Sequence, residues 1–221
     1  MRLSAAAILV VVLTASTTPT GAADNAAELA QSLQRKYDTV RDFSADFVQT
    51  YQSGALRKKT TERGHVLIKK PGKMRWDYVS PEKKLFVSDG VKVYSYTPED
   101  KQVIVSTVPK DDKAGASILF LAGKGNLVRD FTASLAEVPS GSPAGSAALK
   151  LVPKTAQPDY DSLLLVVDRQ TLGLRALVTL DAEGGQSAIA FANLKENVNP
   201  ADKEFAFNIP RGVDVINESS R

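Results

Sequence analysis

The sequence predicts a mainly β protein with some α: one large, curved antiparallel sheet or barrel, with helices covering one opening. Three observations predict it. Apolar and polar residues alternate in many short runs, the period of a strand with one buried face. Turn signals separate the runs at hairpin spacing. No run is followed by the long helical spacing that a parallel βαβ unit needs.

The first residues stand apart from this pattern. MRLSAAAILVVVLTASTTPTGAAD has one positive charge, a short apolar run from Ala5 to Leu13, and small residues at Gly21, Ala22 and Ala23. That is the layout of a secretory signal peptide over residues 1–23, cleaved near Ala22 or Ala23. A membrane anchor is the competing reading, but a spanning helix needs roughly 20 apolar residues. Residues 24–221 are expected to form a single domain, without internal repeat or linker.

From Asp24 to Asp38, Ala27, Leu29 or Ala30, Leu33 and Tyr37 recur at three- and four-residue spacing, with Asp24 or Asn25 as N-cap. This predicts one amphipathic helix. Phe43, Ala45, Phe47, Gln49 and Tyr51 then alternate with Ser44, Asp46, Val48 and Thr50, predicting a strand. After a loop at Ser53–Lys59 come short strands at His65–Lys69, Met74–Val79, Lys84–Ser88, Val91–Tyr96 and Gln102–Val108. Pro71-Gly72, Ser80-Pro81 and Asp89-Gly90 supply their turns.

The block GASILFLA, from Gly115 to Ala122, interrupts the series with a solid apolar run between polar flanks. It is too short for periodicity to decide, and its loop setting favours a short helix, either a core segment or a flap over a cavity. Strands resume at Phe131–Glu137, Ala148–Val152, Ser162–Asp168, Leu174–Asp181 and Ser187–Leu194, with PSGSPAGS (Pro139–Ser146) as a surface loop. The chain closes on Phe205, Phe207 and Ile209 in alternation before Pro210, then a polar tail.

The chemistry that is absent narrows the function. No cysteine is present, which removes disulfides, thiolate metal sites, thiol nucleophiles and a lipid-modified N-terminal Cys. His65 is the single histidine, so a His-based metal cluster cannot form and a Ser-His-Asp triad would rest on it alone, with no GxSxG elbow beside it. Gly123 and Gly125 lack the context of a phosphate loop, and Glu99-Asp100 and Asp111-Asp112 fall in polar turns. No catalytic residue, metal or cofactor is expected. Binding remains, and a sheet too wide for its own side chains to fill leaves a cavity for an apolar ligand.

Charge is uneven. Between Ser53 and Lys84 ten basic residues face three acidic ones, while the rest of the chain after the signal segment is net acidic. One region therefore presents a positive field, or else a lysine-protected strand edge. Nucleic acid is not an expected partner for an exported protein. Within this region Met74, Trp76 and Tyr78 share one strand face, and Lys73, Arg75 and Asp77 the other.

The run KKPGKMRWDYVSPEKKLFVSDGVKVYSY resembles the central signature of the outer-membrane lipoprotein carrier protein (LolA) family: a basic-basic-Pro motif, an aromatic strand, a Pro-containing turn and a VSDG hairpin. The resemblance extends to the N-terminal helix, FSADFVQT, the ILFLA insert and the closing FAFNIPRGVDV. It implies an incomplete, half-open antiparallel β-barrel of about eleven strands, with helices forming a lid over a hydrophobic cavity. It further implies a monomeric periplasmic carrier. Such a carrier takes acylated lipoproteins from an inner-membrane lipoprotein-releasing ABC transporter and delivers them to the outer membrane, to an acceptor lipoprotein where one is present. By matching position Leu33, Met74, Trp76, Phe86, Ile118, Phe120 and Leu121 should line the cavity, and the alternation adds Phe43 and Phe47. Lys69, Lys70 and Lys73 are the candidates for lid control or partner docking. Where the family often carries Arg before the Pro, this sequence has Lys70, which offers a charge and donors without a planar fork. A carrier or sensor of another envelope lipid or amphiphile is the alternative.

Overall fold

A computed structural model describes residues 21–54, 58–108, 121–123, 125–157 and 159–218, with side chains from Ala26 onward. Most of the expected signal segment, and Ile118 and Phe120 of the insert, lie outside the described residues.

Helix α1 (Gly21–Thr39) leads into β1 (Asp42–Gln52), β2 (Lys59–Lys69), β3 (Lys73–Ser80), β4 (Lys84–Asp89), β5 (Lys92–Thr97) and β6 (Gln102–Thr107). A one-turn helix α2 (Leu127–Asp130) precedes β7 (Phe131–Ala136), β8 (Ser146–Pro153), β9 (Ser162–Asp168), β10 (Leu174–Leu180) and β11 (Gln186–Glu196), and β12 (Asp214–Asn217) ends the series. Asn126 caps α2, its side-chain oxygen accepting from the amides of Val128 and Arg129.

All twelve strands join one sheet in the order β12-β6-β5-β4-β3-β2-β1-β11-β10-β9-β8-β7. Two meanders, β1–β6 and β7–β11, are therefore stitched together by the long central pair β1 and β11, eleven residues each. Every pairing is antiparallel except that of β12 with β6. The sheet stays open between β7 and β12 among the described residues.

Inner-face residues of the sheet and one stripe of α1 make a single apolar cluster. Ala26, Ala30 and Leu33 stand at i, i+4 and i+7, so they share the face of α1 that packs on β7 and α2. The two alanines let the helix approach closely, and burying Leu33 contributes about 2 kcal/mol.

The twelve strands among the described residues agree with the expected count of about eleven. Two expectations are revised. β2 starts at Lys59, where the loop was expected, because KTTERG is polar and shows no apolar alternation, while its backbone still pairs with β1 out to Gln52. The Phe205–Ile209 alternation is not a strand. It belongs to a crossover that runs from β11 over the outer face of the sheet, through a 3₁₀ turn (Asp202–Phe205) packed on β3 and β4, to reach β12 at the far edge.

Phe205 is 1% exposed there, and Phe207 meets the rings of Tyr94 and Tyr96 at 5.4 and 5.5 Å. Phe205→Ala should therefore cost about 3–5 kcal/mol. The loss is expected to fall on the crossover. Hydrogen exchange should speed at Asp214, Ile216 and Glu218 while β8 and β9 stay protected.

Candidate functional site

β3 carries the centre of the site, because its alternation puts Met74 and Trp76 inward, both 0% exposed. Phe47 on β1 meets Trp76 edge-on at 5.0 Å and Tyr78 at the same distance, and Phe191 on β11 closes the group at 6.4 Å from Trp76. Phe43 meets Phe191 edge-on at 6.3 Å. Such pairs fix ring orientation beyond what burial alone provides.

Gly64 makes this arrangement possible. It pairs with Phe47 and Tyr78 in the ladders on either side, and a Cβ there would lie 2.8 Å from two carbons of the Phe47 ring and 2.0 Å from the Asp77 carbonyl oxygen. The aromatic ring occupies the place a side chain would take.

Polar atoms at the margin are satisfied. The Tyr78 hydroxyl donates to Gln49 Oε1 at 2.9 Å, and burial, helped by the charge of Glu62, pushes its pKa up to about 12. The Ser88 hydroxyl donates to the Gly72 carbonyl at 2.8 Å. Phe86 stands opposite Trp76 across β3 and β4 and is only half-buried, so the apolar floor runs outward past the covered centre.

Of the expected lining residues that are described, Leu33, Phe43, Phe47, Met74, Trp76, Phe86 and Leu121 all belong to or pack on this one inner cluster. They fill one another's space. Phe191 was missed although Ile189 and Phe191 alternate on β11. Tyr78, on the same strand face as Met74 and Trp76, joins the group through its edge contact with Phe47.

The three lysines separate. Lys70 turns to the helix: its ammonium donates to the Tyr37 carbonyl at 2.6 Å and sits 4.2 Å over the Tyr37 ring. That carbonyl belongs to the last turn of α1, where the helix dipole favours a cation. The Lys70 stem runs so close to Gly123 that a Cβ at 123, whose φ is +84°, would lie 2.9 Å from it. Next in sequence, the Gly72 amide donates to the Ala122 carbonyl at 3.0 Å, and the Gln34 side chain accepts from the Leu127 amide at 2.8 Å. A polar cleft of about 180 Å³ lined by Gln34, Tyr37, Asp38, Lys70, Gly123 and Gly125 marks this seam between helix and sheet. Lys36 pairs with Glu196 on the same side.

Lys69 and Lys73 point instead to the crossover. Both hold Asp202, at 2.6 and 3.0 Å, and Lys69 also donates to the Pro200 carbonyl at 2.9 Å. Arg75 grips Asp77 on the same outer face. The two lysines hold the Asp202 carboxyl down to about 2. No sequence signal marks Asp202 as their partner.

Burial brings Lys70 down to about 8, against the opposing influence of Asp38 and Glu196. Between 8 and the ordinary 10.5 the unfolded chain holds a proton that the folded chain has released, so stability rises with pH across that window. Denaturant midpoints measured on either side of pH 8 should rise for the wild type relative to Lys70→Met, which lacks the titration.

The family model described as outer membrane lipoprotein carrier protein LolA matches residues 38–208. This chain belongs to that family. Among LolA-family relatives, the outer-membrane lipoprotein carrier protein of Chromohalobacter salexigens is 32% identical over 190 residues, covering 86% of this chain and 87% of the relative. The protein of the same description from Methylococcus capsulatus is 30% identical, covering 90% and 92%. An uncharacterized conserved protein of Thermus thermophilus shares the fold, with a TM-score of 0.53 at 15% identity over 86% of this chain and 99% of that one. The matched span of the LolA family model runs from the end of α1 into the crossover, so it includes the aromatic strand, Lys70 and Asp202.

Proposed function

We propose that this LolA-family protein is a periplasmic carrier that shields the acyl chains of lipoproteins and delivers them to the outer membrane. One observation carries this reading: an inward apolar face around Trp76, Phe47 and Met74 shares one buried cluster with the inner stripe of α1, a helix whose polar attachments gather at one seam. Each acyl methylene removed from water is worth about 0.8 kcal/mol, so a carrier must offer most of that burial back. It must also let go. Cargo entry displaces α1 and the Leu121 turn from the aromatic floor, so disrupting the protein's own packing offsets part of the gain and leaves net affinity low enough for hand-over.

In this scheme an inner-membrane ABC transporter supplies the lipoprotein, an outer-membrane acceptor lipoprotein receives it, and the carrier acts as a monomer. Lys70 holds the lid, while Lys69 and Lys73 anchor the outer crossover and bear on partners only through it.

The test mixes the purified protein with a triacylated lipoprotein in detergent below its micellar concentration, then separates complexes by size exclusion. A one-to-one complex is expected with the acylated form and none with the same protein lacking its acyl chains. Equal binding of both forms would sink the reading.

A further inference from the structure

The indole N–H of Trp76 is buried with no acceptor among the described residues, and it is the one buried side-chain nitrogen or oxygen among them of which this is true. Tryptophan in an interior normally finds a partner for that group, since an orphaned donor carries the full penalty of lost hydration. The neighbouring polar groups on this side of the sheet, Tyr78 and Ser88, have theirs. The orphan therefore belongs to the floor of the closed cluster.

The surroundings define what can satisfy it. Phe47 and Phe191 stand edge-on or tilted beside the indole, Phe86 lies opposite in register, and Met74 is the next inward residue on the strand. The cations of this strand, Lys73 and Arg75, lie on the other face and hold carboxylates there. On the inner face Lys84 lies over the Tyr78 ring at the margin and is already paired with Glu62, so an anionic head group beside Trp76 would be buried without a counter-charge of its own. An amine or hydroxyl donor adds a second polar hydrogen that these rings cannot accept well. A neutral acceptor that brings no donor of its own fits best, and the carbonyl of an ester is such a group.

We infer that Trp76 is a specificity-determining residue that donates to an acyl ester carbonyl of the cargo. This rests on the carrier reading and deepens it. Methylenes supply affinity wherever they lie, whereas one fixed donor in an apolar floor sets the depth at which the chain's carbonyl end stops. It also favours acyl over alkyl chains. In the empty, closed protein the same group is a penalty that loading removes.

The experiment compares dipalmitoylglycerol with its di-ether counterpart, dihexadecylglycerol, by competition against a fluorescent fatty acid. It uses wild type and Trp76→Phe, a substitution that keeps a buried ring and removes the N–H. Wild type should prefer the ester by about three- to tenfold, the worth of one ordinary hydrogen bond. Trp76→Phe should bind both probes alike. Because Trp76 is the chain's single tryptophan, its indole proton gives one resonance, and the ester, not the ether, should move it downfield in the wild type. That measurement stands even where the variant fails to fold. A wild type indifferent to ester and ether, a preference that survives in Trp76→Phe, or an unmoved indole resonance overturns the inference and leaves the carrier reading intact. Binding of neither probe by the wild type overturns both.

Discussion

Gly64→Ala is expected to lower stability by about 3 kcal/mol, the upper range for an added methyl in a packed interior. For a domain of this size that is roughly 6–12 °C in Tm. The new Cβ meets the Asp77 backbone carbonyl, which cannot yield without breaking the β2–β3 ladder, and the Phe47 ring, which must tilt away from Trp76. Near-ultraviolet circular dichroism should report that tilt. A control is available at Gly141, where nothing lies within 4 Å of an added Cβ and only its φ of +83° opposes substitution. Gly141→Ala should cost about 1–2 kcal/mol with no change in the aromatic spectrum. Equal spectra for both variants would mean that Phe47 does not depend on the glycine.

The second large effect is on the lid. Leu33 is 2% exposed in the inner cluster, so Leu33→Asp would bury a lone carboxylate at a cost of several kcal/mol. The helix has a cheaper course, which is to leave. Backbone amides of Ala30–Thr39 should then lose at least a hundredfold in protection, and an apolar dye such as ANS should bind the uncovered floor. The β1–β11 and β1–β2 ladders contain no residue of α1, so their protection should hold. If α1 kept its protection, its attachment would lie in the Lys70 seam and not in the apolar stripe.

The parts of the fold that the sequence made legible share a physical origin. Where a strand has one dry and one wet face, as β1 and β3 do, the alternation is written residue by residue, and the inward placement of Phe43, Phe47, Met74 and Trp76 follows from counting by twos. Asp89-Gly90 likewise announces its hairpin, with the Asp89 carboxylate accepting from the Val91 and Lys92 amides. What was not legible has no periodic signature. Thr60–Arg63 extends β2 beyond the core, and β12 is exposed at all four residues, so backbone pairing alone makes them strands. Phe205, Phe207 and Ile209 alternate by accident, because a crossover can bury one ring and lay another on Tyr94 and Tyr96 without any ladder. The partners of the lysines were hidden for another reason. Lys69 and Asp202 lie 133 residues apart, and only the path of the crossover over the outer face brings them together.

That same topology governs how the chain can fold. β2 to β6 follow β1 hairpin by hairpin and can zip as soon as they emerge, but β1 must wait for β11 before its other edge is covered, as the Gln49–Ser187 hydrogen bond spanning 138 residues illustrates. Until then one edge of the half-finished sheet, polar at its Tyr51 end and aromatic at its Phe43 end, is open to any passing strand. High contact order of this kind slows folding and prolongs the time a chain stays extended. The central seam thus makes the protein a late and all-at-once folder, dependent on its last quarter to protect its first.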